Sequence, residues 1–417
     1  MKKILFFIGV AVLFAACENN GSMVQYKINE PVFMPKTEFR NSVNVTNDAK
    51  TLTGSGKICF YNGFLYISDP GNGVHIVNNT DPANPKMVGY IELPGNYDIN
   101  VRNDILYADA LIDLVWFDIT DPAQPVYQGR LEDAFPELLP PVENEYGIDF
   151  AICYNEEKRK DNLVVGWKVE KRIKKVENYD IYLEFDGSNT SFANSISASS
   201  NGLTGSMSRF SLYDNYLYAV INYTMCVFDL SSGAPVKAAE NISVGNVETI
   251  FSYKDKMFLG TPTGMQIWSV KNPLNPTYCS CVWHVYGCDP VIVHDDLAYV
   301  TIHSGNFCGQ DNNELFIMDV SDVYHPKQLV SYAMTKPKGL GIDNGALFLC
   351  DNGLKVFKID QPETLLANTL AHIKGMEGYD VIPFDNVLMM IADDGLYQYD
   401  YTDVKNMKKL SVLPIKK

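Results

Sequence analysis

Residues 114–125 read LVWFDITDPAQP, an apolar strand that ends in a polar residue and runs into a turn of Asp, Thr, Pro and Gln. The phrase returns with variations as VHIVNNTDPANP at 74–85, MCVFDLSSGAP at 225–235 and MQIWSVKNPLNP at 265–276. It appears again as LFIMDVSDVYHP at 315–326, LKVFKIDQPETL at 354–365 and LYQYDYTDVKNM at 396–407. A strand-based period of about 40 residues means a set of small sheets, none able to bury its faces alone. Around the quoted stretch the unit reads as four strands: YDINV (97–101), ILYADAL (105–111), DLVWFDI (113–119) and VYQGRL (126–131). The first two strands of the units are joined by tight pairs, at Asn103-Asp104, Asp295-Asp296, Asn344-Gly345 and Asp385-Asn386. These residue types enter positive φ at little cost and suit two-residue hairpins. Four-stranded antiparallel units repeated at this spacing predict an all-β chain closed into a single β-propeller, whose radial arrangement protects the sheet edges.

The turn after the third strand acts as a ruler. Its marker falls at Asp81, Asp121, Ser232, Asn272, Asp322, Gln361 and Asp403, at spacings near 40 to 50 except for one gap of 111 between Asp121 and Ser232. That gap holds two units with insertions, which predicts eight blades at about 56–93, 95–131, 143–186, 205–242, 245–282, 286–333, 336–372 and 375–414. The blade at 143–186 is degenerate: YGIDFAICY, NLVVGWKVEKR and YDIYLEF are strand-like but lack the Asp-Pro turn. The alternative is seven blades with a large excursion at 132–204. In either case the Asn-, Ser- and Gly-rich stretch Gly187 to Ser208 reads as loop.

The amino terminus reads as a targeting signal. Lys2 and Lys3 precede an apolar run, Ile4 to Phe14, too short to cross a bilayer, and Ala15-Ala16 stand directly before Cys17. This arrangement resembles a bacterial lipoprotein signal, which implies cleavage after residue 16 and a lipid anchor such as palmitate on Cys17. Phe14 stands where such signals usually carry Leu. Residues 17–50 are then the lipidated Cys and a linker, 51–417 the propeller, and the setting an exported one that permits disulfides. The expected localisation is the bacterial outer membrane, on either its periplasmic or its surface face. The net charge of −16 argues against nucleic acid as a partner, since nothing would neutralise phosphates. The basic run at Lys158–Lys160 and Lys168–Lys175 is interleaved with Glu156, Glu157, Glu170 and Glu177 and reads as a solvated face.

In a propeller the first strand of each blade lines the channel, and ligands collect where those strands begin. The residues near these starts are Lys57, Asp98, Asp149, Arg209, Glu248, Asp289, Lys338 and Asp380. The five carboxylates among them, Asp98, Asp149, Glu248, Asp289 and Asp380, form a candidate ligand or cation site for a hard ion such as Ca²⁺. A shift of one residue would turn any of them away from the channel. Cys59, Cys226 and Cys350 sit in apolar strands and read as free, buried thiols. Cys279, Cys281, His284, Cys288, His294, His303 and Cys308 crowd together, but the His residues scatter over different strands and lack zinc spacing. By repeat position, Cys288 at the start of a first strand and Cys308 in the loop between second and third strands share one face. A Cys288–Cys308 disulfide fits that placement, with two free thiols as the alternative.

VWFDITDPAQPV and FIMDVSDVYHPK resemble the LVIVD repeat of exported bacterial propeller proteins. GCDPVIVHDDLAYVTIHSGNFCG (287–309) and KPKGLGIDNGALFLCDNGLKVF (336–357) are similar to the later blades of LVIVD-repeat lipoproteins of the Bacteroidetes type. The resemblance covers about residues 56–413 and implies a propeller and a membrane-anchored setting; it implies no reaction. No G-x-S-x-G elbow, H-E-x-x-H or phosphate loop is present in the sequence, and four Trp cannot supply a quinone-enzyme docking motif in every blade. Two functions follow as expectations. The first is a non-catalytic binding or scaffold module, monomeric, for a protein or glycan partner. The alternative is a metal-dependent propeller hydrolase or lyase using the channel carboxylates.

Overall fold

The computed structural model describes residues 22–416, except 55, 138, 143, 177–202, 222, 284–289 and 304–312. Among the described residues the chain forms seven four-stranded antiparallel blades. Numbered in chain order, their innermost strands are Ile58–Tyr61, Ile99–Arg102, Phe210–Tyr213, Thr249–Tyr253, Val291–His294, Leu340–Asp343 and Gly378–Phe384. Seven is the smaller of the two counts. The stretch expected as a degenerate blade at 143–186 instead holds two short helices, Phe150–Cys153 and Glu156–Arg159, and one long strand, Asn162–Val176. That strand pairs antiparallel with Ser22–Pro35 as a two-stranded ribbon. It lacks the Asp turn that would return it into a blade, and its Lys/Glu-rich outer half has no apolar alternation to bury. The 22–46 segment, expected as linker, is therefore ordered: ribbon strand, helix Lys36–Asn41, and a short strand Asn44–Thr46 on the outer edge of blade 1.

Period-two alternation builds the ring. In the second strand of blade 2, Leu106 and Ala108 pack toward blade 1 while Tyr107 between them packs toward blade 3. The same alternation in every blade yields seven apolar clusters, one in each seam between neighbours. The seam between blades 7 and 1 joins Ile58, Leu65 and Ile67 to Met389, Ile391 and Leu396. It is crossed by a mutual amide pair between Asn79 and Gln398, at 2.9 and 2.6 Å. Each blade is contiguous in sequence, so ring closure rests on these contacts rather than on a strand shared between chain ends.

The repeat phrase owes its composition to two successive side-chain-to-backbone turns. Asp118 accepts from the Thr120 amide at 2.8 Å and Asp121 from the Ala123 amide at 3.1 Å. Asp319 with Ser321, Asp322 with Tyr324, Asp400 with Thr402 and Asp403 with Lys405 repeat the pattern. The hairpin pairs take the expected conformation, with φ of 50° and 59° at Asn103 and Asp104. Both turn types lie on one face of the ring, the hairpin face. The opposite face carries the starts of the inner strands, the loops between blades and the whole excursion between blades 2 and 3. Helix Lys36–Asn41 is fastened there: Arg40 forms two hydrogen bonds to the fully buried Asp113, at 2.9 and 3.0 Å, and Arg130 a third at 2.7 Å.

Candidate functional site

The excursion returns through the centre of the ring. Leu203–Thr204 pairs with Phe60 and Cys59 on the channel side of blade 1, and residues 205–209 then lead into the inner strand of blade 3. The end of the stretch expected as loop is thus a strand that plugs the channel; its first part, 187–202, lies outside the described residues.

Four of the eight predicted strand-start residues converge around this plug. Asp98 Oδ1 accepts from Ser208 Oγ at 2.5 Å and from its neighbour's amide, Ile99, at 3.0 Å; Oδ2 accepts from the Arg209 amide at 2.8 Å. Arg209 Nη2 donates to Asp109 at 3.0 Å. Asp109 also accepts from the amides of Tyr97 and Asp98, each at 2.7 Å. Lys57, fully buried, donates to the Met207 carbonyl of the plug. Asp380 Oδ1 accepts from the amide and hydroxyl of Ser206, at 3.0 and 3.1 Å, while the same hydroxyl accepts from the Leu340 amide at 2.9 Å. Asp380 Oδ2 is buried without a hydrogen-bond partner. Glycines wall it in: a Cβ on Gly205 would stand 2.0 Å from Oδ2 and one on Gly339 2.3 Å from Oδ1.

Burial sets the charges. It pushes the Asp109 carboxyl up to about 6 against the pull of Arg209, and Asp380 up to about 7 against the Val381 amide and Lys57. It brings the Lys57 ammonium down to about 7, opposed first by Asp98. These carboxylates are held by amides, hydroxyls and two cations of the chain itself. Among the described residues no three His, Cys, Asp or Glu side chains form a metal-holding group.

The other candidates fall elsewhere. Asp149 is not at the channel: it caps helix Phe150–Cys153 by accepting from Ile152 and pairs with Arg172 at the base of the ribbon. Its assignment depended on the blade that does not form. Glu248 stands directly before the inner strand of blade 4, half-buried, and Lys338 pairs with Glu377 at 2.8 Å. Cys17, Cys288, Asp289, Cys308 and His284 lie outside the described residues. Cys59, Cys226 and Cys350 are buried and form no disulfide, and burial favours the thiol form at Cys59 and Cys350. Sequence reasoning missed Asp109, Ser206 and Ser208. Asp109 had a signal, since Asp69, Asp109 and Asp351 recur at the ends of second strands, facing the same side as the inner-strand starts.

On the other side of the plug the channel is open. A cavity of about 160 Å³ is lined by Phe251 of blade 4, Ile292 to His294 of blade 5, Leu340 to Ile342 of blade 6 and Val381 to Pro383 of blade 7, with Gly205 and Ser206 as its floor. It extends toward the hairpin face, where the His294 side chain is 45% exposed.

Residues 55–92, which make blade 1, and 291–334, which make blade 5, match the model of the LVIVD repeat. A protein from Lactobacillus plantarum is similar in structure, with a TM-score of 0.53 at 12% identity over 86% of this chain and 96% of that one. A functionally unknown protein from Desulfotomaculum acetoxidans gives 0.46 at 11% identity over 79% and 88%. Hsv2 of Kluyveromyces lactis gives 0.46 at 9% identity over 87% and 98%. No curated protein matches the chain. The fold is that of a seven-bladed β-propeller, two of whose blades match the LVIVD repeat.

Proposed function

We propose that this propeller is a non-catalytic binding or scaffold module for a protein or glycan, exported and anchored through Cys17 to the bacterial outer membrane. The observation that carries the reading is the locked centre of the ring. Asp98, Asp109 and Asp380, the acidic groups best placed for chemistry, hold the plug through hydrogen bonds and through Arg209. Binding is then left to the faces. The face opposite the repeat turns offers aromatic surface on adjacent blades: Tyr223, 53% exposed in a loop of blade 3, and Trp283, 74% exposed at the end of blade 4. Exposed aromatic faces stack on sugars and anchor protein contacts. The test is a glycan and envelope-protein binding panel, run with Tyr223→Ala and Trp283→Ala, beside a hydrolytic screen with added metals. Binding that falls at least about ten-fold in either variant without a change in melting temperature supports the reading. Metal-dependent turnover that Asp98→Asn or Asp380→Asn abolishes in folded protein overturns it. Palmitate incorporation lost in Cys17→Ala tests the anchor separately.

A further inference from the structure

The ribbon of Ser22–Pro35 and Asn162–Val176 leaves the propeller from the face opposite the hairpins, and only its inner half is covered. There Asn29, fully buried, donates to Asn144 at 2.9 Å and to the Tyr146 carbonyl at 2.6 Å. Beyond this point both strands project into solvent, although an isolated two-stranded ribbon gains little stability by itself.

The two faces of the projecting half differ. Strand register places the exposed Val24 and the buried Ile28 on one face with Glu30, Lys168, Glu170 and Arg172, where the charges satisfy one another: Lys168 pairs with Glu170, and Arg172 with Glu30 and Asp149. The other face carries Lys27 opposite Lys171 and Ile173 opposite Gln25, with Val169 opposite Asn29. Neither strand places a carboxylate on it among the described side chains. Lys27 donates to the Tyr146 hydroxyl at 2.9 Å and feels Glu145 beside that residue, so Lys171 is the cation of this face that no described group engages. Its apolar members are open to solvent, Ile173 by 65% and Val169 by 44%. The strand continues through Lys174 and Lys175, so the ribbon holds six Lys and Arg against two Glu in a chain of net charge −16. The ribbon tip, where Ser22 pairs with Val176, lies five positions after Cys17, within ~17 Å of chain at ~3.4 Å per residue.

We infer that this basic-apolar face rests on an anionic lipid surface, with Lys27 and Lys171 at the headgroups and Val169 and Ile173 at the boundary beneath them. Interleaved cations and apolar side chains are the composition that binds anionic bilayers, and one lipid anchor holds far better with a basic patch as a second signal. The inference deepens the anchor reading through the position of Cys17, but its chemistry belongs to the ribbon alone. The ribbon then acts as a strut that sets the orientation of the propeller over the membrane.

The test uses residues 18–417, which include every described element and carry no lipid, in sedimentation with vesicles. Binding is expected to phosphatidylglycerol–phosphatidylcholine vesicles at low salt, with loss at ~0.5 M salt. Lys27→Glu with Lys171→Glu should weaken binding at least about ten-fold, and Ile173→Ser with Val169→Ser by a smaller factor, without changing the melting temperature. Equal binding to pure phosphatidylcholine, indifference to the charge reversal, or equally tight binding to heparin or an acidic protein overturns the inference. Palmitate labelling of Cys17 with no vesicle binding sinks this inference and leaves the anchor; vesicle binding with no labelling does the reverse.

Discussion

The two halves of the channel are built from the same strand at the same repeat position, yet among the described residues one is filled with charge and the other is a largely apolar cavity. On the side of blades 1 to 3, Lys57, Asp98, Asp109 and Arg209 close around the plug. On the side of blades 4 to 7, Phe251, Ile292, Ile342 and Ile382 face open space. Asp380 of blade 7 marks the border, with one carboxylate oxygen engaged and the other buried alone. The difference teaches that the charged residues follow the inserted segment rather than the ring. Where a polar backbone crosses the centre, its amides and carbonyls must find partners, and the strand starts nearest to it supply them. Where no described segment crosses, the inner strands line the cavity mostly with apolar side chains.

This comparison breaks most sharply at Arg209. Arg209→Met leaves Asp98 and Asp109 buried without their cation and should cost about 3–5 kcal/mol in denaturant unfolding; a loss under ~1 kcal/mol would mean that the amides alone hold the plug. Gly205→Ala places a methyl group 2.0 Å from Asp380 Oδ2 and should cost about 1–3 kcal/mol by overpacking. The pH response sharpens the border. A carboxyl raised from its ordinary value near 4 to about 7 binds its proton more tightly in the folded state, so stability should fall as pH rises across that window. Asp109, raised to about 6, adds to the same trend, whereas Lys57, lowered to about 7, makes stability rise again above pH 7. Asp380→Asn should therefore flatten the decline in melting temperature between pH 4 and 7; an unchanged slope would place that titration elsewhere. In the open half, Ile342→Phe extends into the cavity and should alter stability by less than about 1 kcal/mol, a tolerance that no residue beside the plug should share.

Much of this was legible in the sequence, for reasons that particular residues make plain. Asn103-Asp104 and Asp118 with Asp121 announce their turns because the conformation is set within two or three residues. Lys57, Asp98, Arg209 and Asp380 could be brought to one end of the channel because the repeat fixes where inner strands begin. Leu203–Thr204 could not be read as a channel strand, since its partners Phe60 and Cys59 lie more than a hundred residues earlier and its own composition says loop. Asp149 misled for the converse reason: its surroundings look like a strand start, and only pairing of Asn162–Val176 with the amino-terminal strand shows that no blade stands there.

The seam between the seventh and first blades has a temporal meaning. Six seams join blades that follow one another along the chain, so each can pack soon after its second member exists. The last must bring Leu396 and Met389 to Ile58 and Leu65, and the Lys416 amide to the Leu52 carbonyl at 2.8 Å. Until then the molecule is an open arc with two bare apolar ends, and contacts so distant in sequence form slowly. During synthesis that arc is the form a chaperone would meet, and its two ends are the surfaces through which two such arcs would join each other by mistake.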